Sequence, residues 1–64
     1  MEIKFSDDNI INDDINNIPL DKLLTNLGID TLMVIVKRNG AIILENELLN
    51  NDDSIQIIQI IHGG

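Results

Sequence analysis

The stretch "MVIVKRNGAII", residues 33–43, reads as two strands joined by a tight turn. Counting back one residue, positions 32–36 form an unbroken apolar run, and Val34, Ile35 and Val36 are β-branched. That pattern predicts a strand buried on both faces. Lys37-Arg38-Asn39-Gly40 follows and contains Asn-Gly. A two-residue hairpin turn needs positive φ at both central positions, which Asn and Gly tolerate best. Residues 41–44 then return as the partner strand. Such a hairpin cannot stand alone in water, so the rest of the chain must build layers around it.

Upstream lies one clear helix. Leu20, Leu23, Leu24 and Leu27 fall at i, i+3, i+4 and i+7, a single apolar stripe. Pro19 stands where a first helical residue is expected, since its missing N–H is harmless there. Gly28 follows the last leucine, where a left-handed cap is expected. A helix of about two to three turns does not persist alone and needs a sheet to cover. Before it, residues 12–17 are rich in Asn and Asp and read as a loop, with Ile15 ambiguous. At the start, Met1, Ile3 and Phe5 alternate with Glu2 and Lys4, the period of a half-buried strand. Ser6-Asp7-Asp8-Asn9 is turn chemistry, and Ile10, Ile11 and Asn12 return as a second strand.

Downstream, residues 45–50 hold Leu48 and Leu49, read as a short helical turn closing one end of the core. Asn50-Asn51-Asp52-Asp53-Ser54 is a further turn. Residues 55–61 form the last strand and run into His62-Gly63-Gly64. Alternation puts Ile55, Ile57, Gln59 and Ile61 on one face and Gln56, Ile58 and Ile60 on the other. If the first set faces the helix, Ile58 and Ile60 either form a partner-contact surface or pack under the Leu48–Leu49 segment.

The order strand, strand, helix, strand, strand, strand predicts an α+β domain. It is a mixed sheet of about four to five strands with one main helix packed on one face, the first strand pairing with the last. Residues 1–61 make the domain and residues 62–64 a flexible C-terminal tail. A chain of 64 residues buries only about 60% of its unfolded surface and is marginal in stability. With no cysteine and one histidine, disulfides are excluded and a structural zinc is not expected. The core is therefore hydrophobic.

A formal charge of −7 with only four basic residues argues against nucleic-acid binding, which needs clustered Lys and Arg. The start Met-Glu-Ile-Lys lacks the basic and apolar regions of a signal peptide. No stretch approaches the ~20 apolar residues of a membrane span. The expectation is a cytoplasmic protein with no membrane partner.

No Gly-rich phosphate loop is present, and no Ser-His-Asp set can be assembled around one histidine. The acidic pairs Asp7/Asp8, Asp13/Asp14 and Asp52/Asp53 lie in turns, where Asp is the ordinary residue, and none has the spacing of a calcium loop. No metal or bound cofactor is expected, and the chain does not read as an enzyme. What remains is the tail. Three extended residues reach about 10 Å beyond the fold. Gly63 and Gly64, lacking Cβ atoms, could enter a channel too narrow for other residues. The tip is a carboxylate, ionised at neutral pH, and able to attack the α-phosphate of ATP. His62 reads as a polar spacer, or as a group assisting proton transfer beside that carboxylate.

Taken together, "MVIVKRNGAII", "ENELL", "NDDS" and "IQIIQIIHGG" resemble the ThiS-like (ThiS/MoaD) family of ubiquitin-like β-grasp sulfur carriers across essentially the whole chain. The resemblance implies a carrier whose Gly64 carboxylate is adenylated by an E1-like enzyme that supplies the ATP site. Sulfur from a persulfide donor then makes a thiocarboxylate. Thiazole synthase, forming the thiazole ring of thiamine, is the implied acceptor, and His62 and Gly63 would thread the tail into the partner. Molybdopterin carriers, tRNA-thiolation carriers and protein modifiers share the tail, and a plain interaction module with an incidental Gly-Gly is the remaining alternative. Two departures stand out: the family's Asp-Gly-Asp turn is here Asn51-Asp52-Asp53, and Leu44-Glu45 stands where an arginine is often found.

Overall fold

The computed structural model describes residues 1–60. In chain order the elements are β1 (Glu2–Phe5), β2 (Ile10–Asn12), β3 (Ile18–Pro19), α1 (Leu20–Asn26), a 3₁₀ turn (Thr31–Met33), β4 (Val34–Arg38), β5 (Ala41–Ile42), β6 (Leu48–Leu49) and β7 (Ser54–Gln59). Five strands form one mixed sheet in the order β2-β1-β7-β4-β5, and β3 with β6 makes a small second sheet. The first and last strands pair in parallel at the centre, with Ile3 opposite Ile55 and Phe5 opposite Ile57. The remaining pairs of the large sheet are antiparallel. With α1 covering one face, this is the β-grasp arrangement.

Local chemistry explains most of the punctuation. Asn39 and Gly40 take φ of +54° and +81°, the left-handed pair that the β4–β5 turn requires. Gly28 ends α1 at φ +74°. The turn before β7 closes differently. The Asp53 amide donates to the Asn50 carbonyl at 2.9 Å, and the Asp53 carboxylate accepts from the Asn50 amide at 2.8 Å. None of Asn51, Asp52 or Asp53 has positive φ, so the turn forms without the family's glycine.

The core lies between α1 and one sheet face. Ile3, Leu23, Leu24 and Leu49 are fully enclosed, and Leu20, Val36, Ile55 and Ile57 complete the contact. Ile15, ambiguous from its loop, packs partly buried against this cluster.

Four expectations are corrected. Pro19 is not the first helical residue: its φ of −65° and ψ of 146° make it an extended N-cap, without a side-chain capping bond. Residues 32–36 are not one strand buried on both faces. Asp30 caps a 3₁₀ turn by accepting from the Leu32 amide at 3.0 Å, which leaves Leu32 80% exposed. In β4 proper, Val36 is buried whereas Ile35 is at the surface, because a single helix layer covers only one face.

Residues 41–44 do not all pair. The chain turns away at Leu44, whose amide donates to the Glu47 carboxylate at 2.7 Å. The segment around Leu48 and Leu49 is not helical either. The Leu20 and Asp21 amides donate to the carbonyls of Glu47 and Glu45 at 3.0 and 2.9 Å. Leading amides of a helix need acceptors; with no capping side chain at Pro19, this extended segment provides them.

Candidate functional site

The last strand carries the chain toward its tail, and its ladder with β4 extends past Gln59: the Ile60 amide donates to the Met33 carbonyl at 2.8 Å. Residue 60 is therefore held to the sheet. Ile61, His62, Gly63 and Gly64 lie outside the described residues, so the expectations for the tail and the terminal carboxylate rest on sequence.

Side chains alternate along β7, and the register carries that alternation across the sheet. Ile55 and Ile57 face α1 and are buried. Gln56 and Ile58 face the other way, onto the side that no helix covers. Directly opposite Ile58 stands Ile35, and opposite Gln56 stands Lys37 on one side and Lys4 on the other. The uncovered face thus holds a cross-strand row Lys4–Gln56–Lys37 beside an apolar pair, Ile35 and Ile58.

Ile58 and Ile60 are half-buried, and neither belongs to the side chains packed against the core cluster. Packing under Leu48–Leu49 is not what occupies them, since Leu49 is buried in the core and that segment pairs with β3. Ile42, opposite Lys37, extends the patch toward the sheet edge and is 64% exposed.

Lys4 and Lys37 stand on the open face. Arg38 takes the opposite parity, and its guanidinium reaches the Leu48 carbonyl at 3.0 Å and the carboxylates of Glu47 and Asp53 at 3.4 Å. Among the described residues, Lys4 pairs with the well-exposed Asp8 at 3.9 Å, a contact worth little in water. On a chain of charge −7, the open face is an apolar surface flanked by Lys4 and Lys37, with Glu2 beyond them accepting from the Ser54 hydroxyl at 2.9 Å.

Among the described residues, no three potential metal ligands come together. No described helix is long and apolar enough to cross a membrane. Sequence alternation separates Ile58 and Ile60 from the helix-facing residues; it does not bring Ile35 or the lysine row to the same face, because that follows from strand register.

A comparison with protein families matches the ThiS family over residues 6–64. No curated protein matches the chain.

Proposed function

This chain belongs to the ThiS family, and on that premise we propose that it carries sulfur on the carboxylate of Gly64 for thiazole formation in thiamine synthesis. Family members are small sulfur carriers rather than enzymes, and this chain is a sulfur carrier acting with an E1-like adenylating partner. The observation that carries the finer reading is the extent of the match, which runs through His62, Gly63 and Gly64.

The chemistry follows from a terminal carboxylate. One carboxylate oxygen attacks the α-phosphate of ATP and pyrophosphate leaves, giving an acyl-adenylate. The terminal sulfur of a persulfide attacks the activated carbonyl and AMP leaves, giving an acyl disulfide. A thiol then cleaves its S–S bond, releasing the thiocarboxylate with a new disulfide as the oxidised product. Thiazole synthase is the proposed sulfur acceptor. The carrier contributes the terminus and its docking, whereas ATP binds to the partner enzyme.

Docking is assigned to the open face. Ile58 lies on the strand that leads to the tail and Ile60 directly follows it, and with Ile35 they offer apolar area beside Lys4 and Lys37. An enzyme gripping this face would hold the base of the tail while residues 62–64 enter its adenylating channel. His62 serves as the polar spacer in this scheme.

The test is the intact mass of the protein after incubation with an E1-like enzyme from its host, ATP, a persulfide donor and a thiol reductant. A mass gain equal to sulfur minus oxygen, absent when Gly64 is deleted, is the expected result. No gain in a system active on another carrier would overturn the assignment. Lysine-linked conjugates in its place would identify a protein modifier.

A further inference from the structure

The way α1 stops builds an apolar groove on the helix side of the sheet, away from the open face. The Ile29 amide donates to the Leu24 carbonyl at 2.9 Å and the Gly28 amide to the Thr25 carbonyl at 3.0 Å, the paired bonds of a helix closed by a left-handed glycine. This closure turns the chain at Gly28 and brings Ile29 in beside the sheet. Phe5, at the end of β1, stands opposite Ile57 in the parallel register. Phe5, Leu27 and Ile29 each pack against the core and remain half-buried. A groove of about 490 Å³ lies here, lined by these three with Met33, Ile57 and Gln59. The Asp30 carboxylate at its rim is engaged by the Leu32 amide at 3.0 Å.

Alternation along β7 leads the chain to this groove. Ile55 and Ile57 face α1 and are buried, and Gln59, the next residue of that parity, lines the groove. Gln59 is held opposite Val34, and the Ile60 amide still reaches the Met33 carbonyl at 2.8 Å. The ladder therefore continues one residue past Gln59. Residues two apart on a strand share a face at a spacing of about 7 Å, and the next residue of the Ile57–Gln59 parity is Ile61. Ile61 lies outside the described residues; the strand that leads to it and the walls of the groove lie within them.

We propose that this groove is the seat of the Ile61 side chain, which anchors the base of the C-terminal tail. Phe5, Leu27, Ile29 and Met33 offer apolar walls, and an isoleucine is the side chain that strand parity presents to them. Removing that side chain from water drives the seating. A residue tethered one position beyond the sheet outcompetes a free partner's side chain, because the chain itself sets its effective concentration. A second copy is disfavoured as occupant, since two chains of charge −7 repel one another. The strand is then gripped by its own fold on one face while Ile58 and Ile60 stay available on the other. Ile61 becomes a positioning residue for the terminus. On the sulfur-carrier reading, it leaves His62-Gly63-Gly64 as the length that a partner threads, about 10 Å when extended. The seating of Ile61 does not itself rest on that reading.

The test is NMR on the full chain with its isoleucine, leucine and methionine methyls labelled. The expected result is a set of NOEs from the Ile61 methyls to the Phe5 ring and to the Leu27 and Ile29 methyls. Ile61→Ser should move the Leu27, Ile29 and Met33 methyl resonances and speed exchange of the Ile60 amide by about tenfold or more, through local opening at the strand end. Ile61→Val should keep both readouts close to those of the parent. Ile60→Ser, of the opposite parity, should leave the groove methyls in place. NOEs from Ile61 to Ile35 or Ile58 would overturn the proposal, as would unchanged methyls and exchange in Ile61→Ser. Contacts between labelled and unlabelled copies would overturn it in favour of self-association. Shifts at Leu27 and Ile29 that arise only on adding an E1-like enzyme, with no Ile61 contact beforehand, would overturn it in favour of a partner's residue. The free chain is read without ATP or adenylation, so an unseated Ile61 would leave the sulfur-carrier assignment standing.

Discussion

Arg38 and Asp53 meet at 3.4 Å, and the Asp53 oxygen that accepts this contact also accepts the Asn50 amide at 2.8 Å. One carboxylate oxygen thereby joins the end of β4 to the turn that launches β7. Both side chains are largely shielded, 25% and 22% exposed, so the contact is screened less than an ordinary surface pair. Arg38 also holds the Leu48 carbonyl, which ties β6 to the same point.

Removing that guanidinium should therefore cost more than deleting a surface charge. Arg38→Met retains part of the aliphatic stem but strands the Leu48 carbonyl and two carboxylates. The expected loss is about 1–3 kcal/mol, read as a lower urea midpoint with an unchanged slope. Lys22→Met, on the exposed side of α1, is the comparison and should fall within about 0.5 kcal/mol of the parent.

Gly40→Ala probes the hairpin through backbone conformation alone. Nothing lies within 4 Å of a Cβ built at Gly40, yet its φ is +81°. A destabilisation of about 1 kcal/mol is expected from the left-handed conformation. Thermal unfolding would measure it, and a stability equal to the parent would mean that the turn had relaxed to another type.

The contrast between buried and exposed leucines should be sharp. Leu23 is fully enclosed, whereas Leu44 is 68% exposed. Leu23→Ala should cost about 2–5 kcal/mol, enough to unfold much of the population of a domain this small, as circular dichroism would report. Leu44→Ala should leave stability within about 0.5 kcal/mol of the parent.

Ile58→Lys tests the open face as the docking surface. It places a third lysine beside Lys4 and Lys37 while leaving the α1-side core untouched. The expected effect on adenylation is a rise of tenfold or more in KM for the carrier with little change in kcat, since the terminus itself is intact. Pyrophosphate-exchange kinetics would separate the two constants, and an unchanged KM would show that the enzyme grips elsewhere.

Gly64→Ala tests the tail separately. A Cβ at the reacting residue should depress kcat for adenylation, with urea stability unchanged. A normal rate would count against a channel narrow enough to require glycine.

The features legible in the sequence are those decided within a few neighbouring residues. Asn39-Gly40 specified its turn, the leucine spacing specified α1, and strict alternation separated Ile55 and Ile57 from Ile58. The family resemblance, spread over the hairpin, acidic turn and last strand, was legible for the same reason and was borne out by the family match. Pairing of the first and last strands was also foreseen, because two amphipathic strands and one helix leave few ways to close a core.

What stayed hidden depended on groups distant in sequence. Residues 45–50 looked helical from the Leu48–Leu49 pair, but the unsatisfied amides at the start of α1 draw their carbonyls into an extended path. Residues 32–36 looked doubly buried because apolar content says nothing about how many layers are present. The open face needed register to bring Ile35 to Ile58 and Lys4 toward Lys37. Local conformational preference chose the elements; hydrogen-bond satisfaction and packing between distant segments chose which faces they show.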